Sequence, residues 1–176
     1  VGSKTRAPSY QEMFLWLPLQ ATGGLADGRN YIGDPGLVPE RANEVVVGFS
    51  HDAGRLSVSP QVFYRDVDDY IQGVPSTNMM ANMVSNMMSG SLPLMFANVD
   101  AKLWGGDMAW QYSLAERWSL DGIVSYVRGE RKDIDDNLYR LAPLNGSIGL
   151  SYVADSWSVK PEVVVYAKQD RVSLYN

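Results

Sequence analysis

From Leu56 onward the chain alternates between two kinds of residue. Leu56, Val58, Pro60, Val62 and Tyr64 share one face of an extended segment, while Ser57, Ser59, Gln61 and Arg65 share the other, with Phe63 the exception. Asn43–Phe49 reads as the preceding strand, joined to it by a turn over Ser50–Arg55 that carries Asp and Gly where turns want them. A second hairpin runs from Phe96 to Tyr112 and returns from Trp118 to Arg128. A third pairs Leu141–Val153 with Trp157–Lys168. In the last strand Trp157, Val159, Pro161, Val163 and Val165 alternate with Ser158, Lys160, Glu162, Val164 and Tyr166. Pro60 and Pro161 each remove a ladder donor and point to an edge or a bulge. No segment shows sustained helical periodicity.

The connections differ sharply in length. Those near 51–55, 113–117 and 154–156 are short, whereas 17–42, 72–95 and 129–140 are long and rich in Gly, Asp, Asn and Met. Short turns at one end and long loops at the other fit an antiparallel up-and-down transmembrane β-barrel, here about six or seven strands of a larger one. The candidate strands reach the ~9–11 residues that cross a bilayer with tilt. A soluble β-sandwich binding module, with calcium-assisted carbohydrate recognition, is the alternative.

Composition narrows the chemistry. Of 176 residues, 45% are hydrophobic and 11% aromatic, with 10 Tyr and 5 Trp against 4 Phe. Such amphipathic rings suit a boundary between apolar material and water. The formal net charge of -5 and a pI near 4.8 argue against a nucleic-acid groove. The lack of Cys excludes disulfides and thiolate chemistry, and the single His51 excludes multi-His metal centres. No continuous apolar run reaches helical membrane-spanning length, and no signal-peptide pattern is present; a mean hydropathy of -0.18 suits alternating strands.

Several clusters carry possible chemistry. Met79, Met80, Met83, Met87 and Met88, with Met95 beyond, crowd one predicted loop. Thioethers are soft ligands suited to Cu(I), and they also make flexible apolar cover. Asp66, Asp68, Asp69 and Asp133, Asp135, Asp136 flank long loops. The second group begins like a calcium loop but has Leu138 and Leu144 where Gly and Glu belong. Ser50-His51-Asp52 holds the residue types of a hydrolase triad, yet adjacent residues on one turn cannot form the relay. Trp118, Trp157, Tyr126, Tyr152 and Tyr166 are candidates for interfacial girdles. Arg65, Arg128, Lys168 and Arg171 are candidate contacts for an anionic solute. With no relay, metal set or cofactor loop, an enzyme is not expected.

Arg6-Ala7-Pro8-Ser9-Tyr10-Gln11-Glu12, the segment Gly33-Asp34-Pro35-Gly36-Leu37-Val38-Pro39-Glu40 and the strand opening at Glu44 together resemble TonB-dependent outer-membrane receptors. Val62–Ile71 and Ala97–Gly105 match that family's later strands, although Gly106-Asp107 departs from its pattern. The resemblance covers nearly the whole chain and implies the C-terminal part of a larger barrel. The plug domain, its coupling box and the terminal aromatic strand would then lie outside these residues. It further implies ligand-gated, TonB-energised uptake across the outer membrane of a Gram-negative bacterium, with no covalent chemistry or resident cofactor. The expected cargo is a scarce solute, foremost a ferric siderophore; copper uptake through the Met-rich loop is the second candidate. Expected partners are the TonB complex acting through the plug, the metal-chelate ligand and outer-membrane lipid. Tyr31, Tyr70, Tyr139 and Arg65 are the expected ligand contacts, with Met79, Met80, Met83, Met87 and Met88 as metal ligands.

Overall fold

Alternation of this kind buries nothing by itself, so the strands must be ordered by their neighbours. In the computed structural model, which describes residues 1–16 and 29–175, they form one antiparallel sheet. Along the chain come β1 (Gly2–Arg6), α1 (Tyr10–Phe14), β2 (Tyr31–Ile32), β3 (Glu40–Gly48), β4 (His51–Ala53) and β5 (Leu56–Pro75). Then follow α2 (Met79–Ser89), β6 (Leu94–Ala115), β7 (Trp118–Arg131), β8 (Asn145–Val153), β9 (Ser158–Val159) and β10 (Glu162–Tyr166). Lateral order is β1-β3-β5-β6-β7-β8-β10. Of the remaining strands, β4 pairs with β5, β9 with β8, and β2 lies parallel on β6. The sheet is a single layer and is not closed. No second sheet faces it among the described residues, which sets the sandwich alternative aside.

Register across the ladders fixes the two faces. Tyr64, Trp104 and Arg128 stand side by side on the outer face, as do Pro60, Met108 and Val124. On the inner face Phe63 meets Gly105 and Val127, and Gln61 meets Asp107 and Ser125. Gln61 donates to the Asp107 carboxylate at 2.6 and 2.7 Å, and Arg65 pairs with Glu44 at 3.1 Å, so the inner polar groups satisfy one another. The outer face is an apolar band whose upper margin holds Tyr64, Trp104 and Tyr126. Its lower margin holds Tyr112, Trp118, Tyr152 and Trp157, and the last three rings pack tilted against one another, with centroids 4.6 and 5.3 Å apart. Trp104 to Tyr112 is about 27 Å along the strand. At ~40° of tilt that becomes roughly 20 Å of height, close to the ~25 Å apolar band of an outer-membrane barrel. No described helix is long and apolar enough to cross a membrane.

Phe63 faces inward because it packs into an apolar core at the loop end of the sheet. A bulge between Val67 and Tyr70, with Asp69 at φ 60°, shifts the alternation by one. Phe63, Arg65 and Val67 are therefore followed on the inner face by Tyr70 and Gln72. Phe63, Tyr70 and Leu141 pack against Val67, Ala101, Leu103 and Leu138, a core that roofs the inner face at its loop end. Asp69 tolerates its conformation because its N–H donates to Asp100 and its carbonyl accepts from Asn98.

Several boundaries differ from the sequence expectation. The first turn contracts to Gly54-Arg55, with Gly54 at φ 63°, because His51–Ala53 pairs with Leu56–Val58 instead of looping. Both prolines fall in gaps of a ladder. Pro60 lies opposite the break between β3 and β4, and Pro161 between β9 and β10, so neither costs a donor. The predicted strand over Trp157–Lys168 is accordingly broken in two. The strands flanking the long connections reach further than predicted, to Pro75 and Arg131, and the third hairpin begins at Asn145. Much of the predicted 17–42 connection lies outside the described residues. The register runs unbroken through Gly105 and Gly106.

Val124 sits level with Met108, midway between the two girdles, while its neighbour Ser125 faces inward. Val124→Arg is expected to destabilise the lipid-inserted protein by about 2–4 kcal/mol. Ser125→Arg should change it by less than about 0.5 kcal/mol. Urea unfolding in phospholipid vesicles measures both, and equal losses would contradict this assignment of faces.

Candidate functional site

At the loop end, charge is arranged before any ligand arrives. Ser9 caps α1: its hydroxyl accepts from Glu12 N, and the Glu12 carboxylate accepts from Ser9 N at 2.6 Å, a reciprocal capping box. Arg6 at the top of β1 bridges two carboxylates, reaching Glu40 at 2.6 Å and Glu12 at 2.9 Å. The pair of acids holds the Arg6 guanidinium above its ordinary pKa, the hydrogen bond to Glu40 contributing most. Glu40, itself buried, also accepts the N–H of Ile71 at 2.8 Å. One short helix is thereby pinned to the sheet, with Gly33 N and Asp34 N donating to the carbonyls of Leu15 and Glu12.

That clamp frames a cavity of about 310 Å³. One wall is Ser9, Gln11 and Glu12 at α1; a second is the Tyr70–Gly73 run of β5 with Phe96; the third is the loop segment Tyr139–Leu141. Gly73 is required here, since a Cβ would lie 2.8 Å from the Tyr31 ring. Burial raises the Tyr70 pKa, helped by the Glu40 carboxylate, so its phenol stays neutral. The Arg140 guanidinium lies over the rings of Tyr139 and Tyr31, 5.2 and 5.7 Å from their centroids.

The Met-rich segment is a helix, which corrects the expected loop. Asn78 caps α2 by accepting from Ala81 N, and Gly90 ends it at φ 67°. Ala81 and Ser85 face inward; Ala81 packs with Ile32, and Ser85 accepts from the Asn30 amide at 2.9 Å. At about 100° per residue, Met79, Met80, Met83 and Met87 fall within an arc of roughly 100° on the opposite side. They are 85%, 65%, 61% and 80% exposed. Met88 is exposed but lies outside that arc. The helix carries no charged residue.

The model of the family described as "TonB dependent receptor-like, beta-barrel" matches residues 1–175. The chain belongs to the TonB-dependent receptors. Among solved structures, the copper transporter OprC is similar with a TM-score of 0.72 and 23% identity, over 97% of this chain and 24% of that one. The pyoverdine receptor FpvA of Pseudomonas aeruginosa PAO1, bound to pyoverdine, gives 0.48 and 15% over 74% and 18%. The FrpB iron transporter of Neisseria meningitidis gives 0.46 and 16% over 74% and 19%. None of the curated proteins matches. The chain thus spans about a quarter of the OprC chain, and the likeness is one of fold.

Within this receptor wall the expected ligand contacts separate. Tyr70 and Tyr139 line the cavity together. Tyr31 lies behind it, fully buried and stacked on Phe96 at 5.2 Å. Arg65 lies lower on the inner face, engaged by Glu44. Four of the six clustered acids are engaged: Asp66 and Asp68 hold Lys132, Asp133 holds Arg131, and Asp136 accepts from Ser173 and Leu174 N. No group of three potential metal-binding His, Cys, Asp or Glu residues occurs among the described residues. Sequence reading took Arg6, Glu12 and Glu40 only as family motif residues, and named none of Gln72, Phe96 and Arg140 as site residues. Ser9-x-x-Glu12 is a capping-box signature and could have disclosed α1; nothing local marks Gln72.

Burial alone would raise the Glu12 pKa, but hydrogen bonds from Arg6 and Ser9 outweigh it and hold the carboxyl below its usual 4.5. The sign follows: this contribution to α1 docking is complete above pH 4.5 and is lost as pH falls through the lower folded-state value. Amide exchange at Gly33 and Asp34 should therefore stay protected from pH 7 to 5 and accelerate below 4.5. In Arg6→Met that acid-dependent step should be much smaller. Loss of protection already at pH 6 would contradict the arrangement.

Proposed function

We propose that this chain is part of the barrel wall of an outer-membrane importer, energised through a plug and the TonB complex, whose cargo is a soft metal ion captured at α2. Membership of the receptor family and the girdled apolar face support the setting, in the outer membrane of a Gram-negative bacterium. The exposed arc of four methionines carries the cargo reading. Thioethers prefer Cu(I), need no deprotonation and bind it with neutral donors. An uncharged helix also offers nothing to hold harder cations. Copper is the cargo named for OprC, whose likeness in fold is compatible with this reading. Transport itself requires differential affinity: a loop that binds cargo better in one barrel state shifts the population toward that state.

A ferric siderophore is the second reading, favoured by the convergence of Tyr70, Tyr139 and Arg140 on one cavity. Protein extracted from outer membranes in detergent separates the two. Competition against bicinchoninate is expected to show saturable Cu(I) binding, weakened at least tenfold when Met79, Met80, Met83 and Met87 are all changed to Leu. These swaps nearly conserve volume, so heat-modifiable gel migration should be unchanged. Equal Cu(I) affinity in the variant, or saturable quenching of tryptophan by a ferric chelate with no Cu(I) binding, would overturn the copper reading.

A further inference from the structure

The 8 methionines of this chain stand in three different environments. Met79, Met80, Met83, Met87 and Met88 on α2 are between 61% and 85% exposed. Met13 and Met95 are half-buried, Met95 lying beneath α2 against Ile32 and Ala81. Met108 points outward within the apolar band. The chain has no Cys, so thioether sulfur is its softest nucleophile and the first to meet a two-electron oxidant. Exposure to water then decides which sulfur reacts, and α2 is set apart on that ground. The helix does not depend on these side chains for its place. Its caps are Asn78 and Gly90, and its buried residues are Ala81 and Ser85. Oxygen added to the exposed sulfurs therefore leaves α2 docked while changing what it offers to a ligand.

We propose that α2 is a site of reversible methionine oxidation by hypochlorous acid, and that its sulfoxide form no longer captures a soft metal. The second half rests on the reading of α2 as the metal-capturing helix. The sulfur lone pair attacks the chlorine of hypochlorous acid, the Cl–O bond breaks and hydroxide leaves. Water then adds to sulfur as the S–Cl bond breaks, releasing chloride and two protons. Sulfur is oxidised by two electrons and chlorine reduced by two; the net products are sulfoxide, chloride and one proton. A sulfoxide presents a hard oxygen where the thioether presented a soft lone pair, so its affinity for Cu(I) falls. The spacing sharpens the response. Met79 and Met83, Met80 and Met83, and Met83 and Met87 are three or four residues apart, so each donor sits beside the next on the helix. An ion held by several thioethers at once loses its site when one of them is converted.

The test treats the detergent-extracted protein with limiting hypochlorous acid and locates the added oxygen by tandem mass spectrometry. Cu(I) is titrated against bicinchoninate before and after. Oxygen is expected on the α2 methionines at least fivefold more often than on Met13, Met95 or Met108. Cu(I) binding should weaken at least tenfold with heat-modifiable gel migration unchanged. Methionine sulfoxide reductases A and B, which act on opposite epimers, should restore the affinity once their thiol reductant is removed. Several outcomes overturn the switch and leave the metal reading standing. These are even oxidation of all the methionines, an α2 that resists oxidation because another segment of the receptor covers it, equal Cu(I) affinity after oxidation, and a loss that the reductases do not reverse. Absence of Cu(I) binding before oxidation overturns the metal reading and the switch together.

Discussion

A strand that crosses hydrocarbon finds no water for its backbone, so every N–H and C=O must be met by a neighbouring strand. The rest of this structure depends on that constraint. It accounts for the long ladders of β5, β6 and β7, continuous from Leu56 to Val67 along β5, and for the placement of both prolines where a ladder is already broken. Apart from the break between β3 and β4 opposite Pro60, it also explains why irregular backbone gathers at the ends. The bulge at Val67–Tyr70 and the helices α1 and α2 all lie beyond the aromatic margin at Tyr64 and Trp104, where water or the protein itself can complete the hydrogen bonding.

Once the backbone is fixed in this way, the period of two divides the side chains between two solvents, and each side answers a different demand. Outward residues need only be apolar, with rings at the margins. Inward residues must satisfy one another, and Gln61–Asp107, Arg65–Glu44 and Lys160–Asp121 do so across adjacent or nearby strands. The Arg6–Glu12–Glu40 clamp extends the same logic to the loop end, where two carboxylates share one guanidinium. Removing one partner of such a set leaves a partly buried charge uncompensated, which is why these residues stabilise position more than they invite a ligand.

Period and turn chemistry made the strands, their faces and the lopsided connections legible from the sequence, because the pleat repeats every two residues whatever the fold. The motifs near Arg6 and Gly33–Glu40 made the family legible as well. What escaped was produced by small departures from that period. Phe63 looked like an error because the core it packs into is built from residues distant in sequence, and the extra residue at the bulge hid the inward turn of Gln72. Helix α2 went unseen because its Met, Asn and Ser residues give weak contrast between faces; its caps at Asn78 and Gly90 were the better signal. Of the expected contacts, Tyr70 and Tyr139 reach a common cavity while Tyr31 and Arg65 do not, a distinction that depends on contacts far apart in sequence and so lies beyond any local reading.

Chemical availability at the loop end is therefore uneven. Glu12, Glu40, Asp66, Asp68 and Asp133 are held by Arg6, Lys132 and Arg131, so capture by simple charge attraction has fewer groups to act through. Accessible beside them are the thioethers of α2, which are soft, polarisable and uncharged. Neutral donors discriminate by softness and by hydrogen-bond geometry, and their affinity is little screened by salt. A wall built this way offers contacts of short range, held in place by the ladders and the bulge.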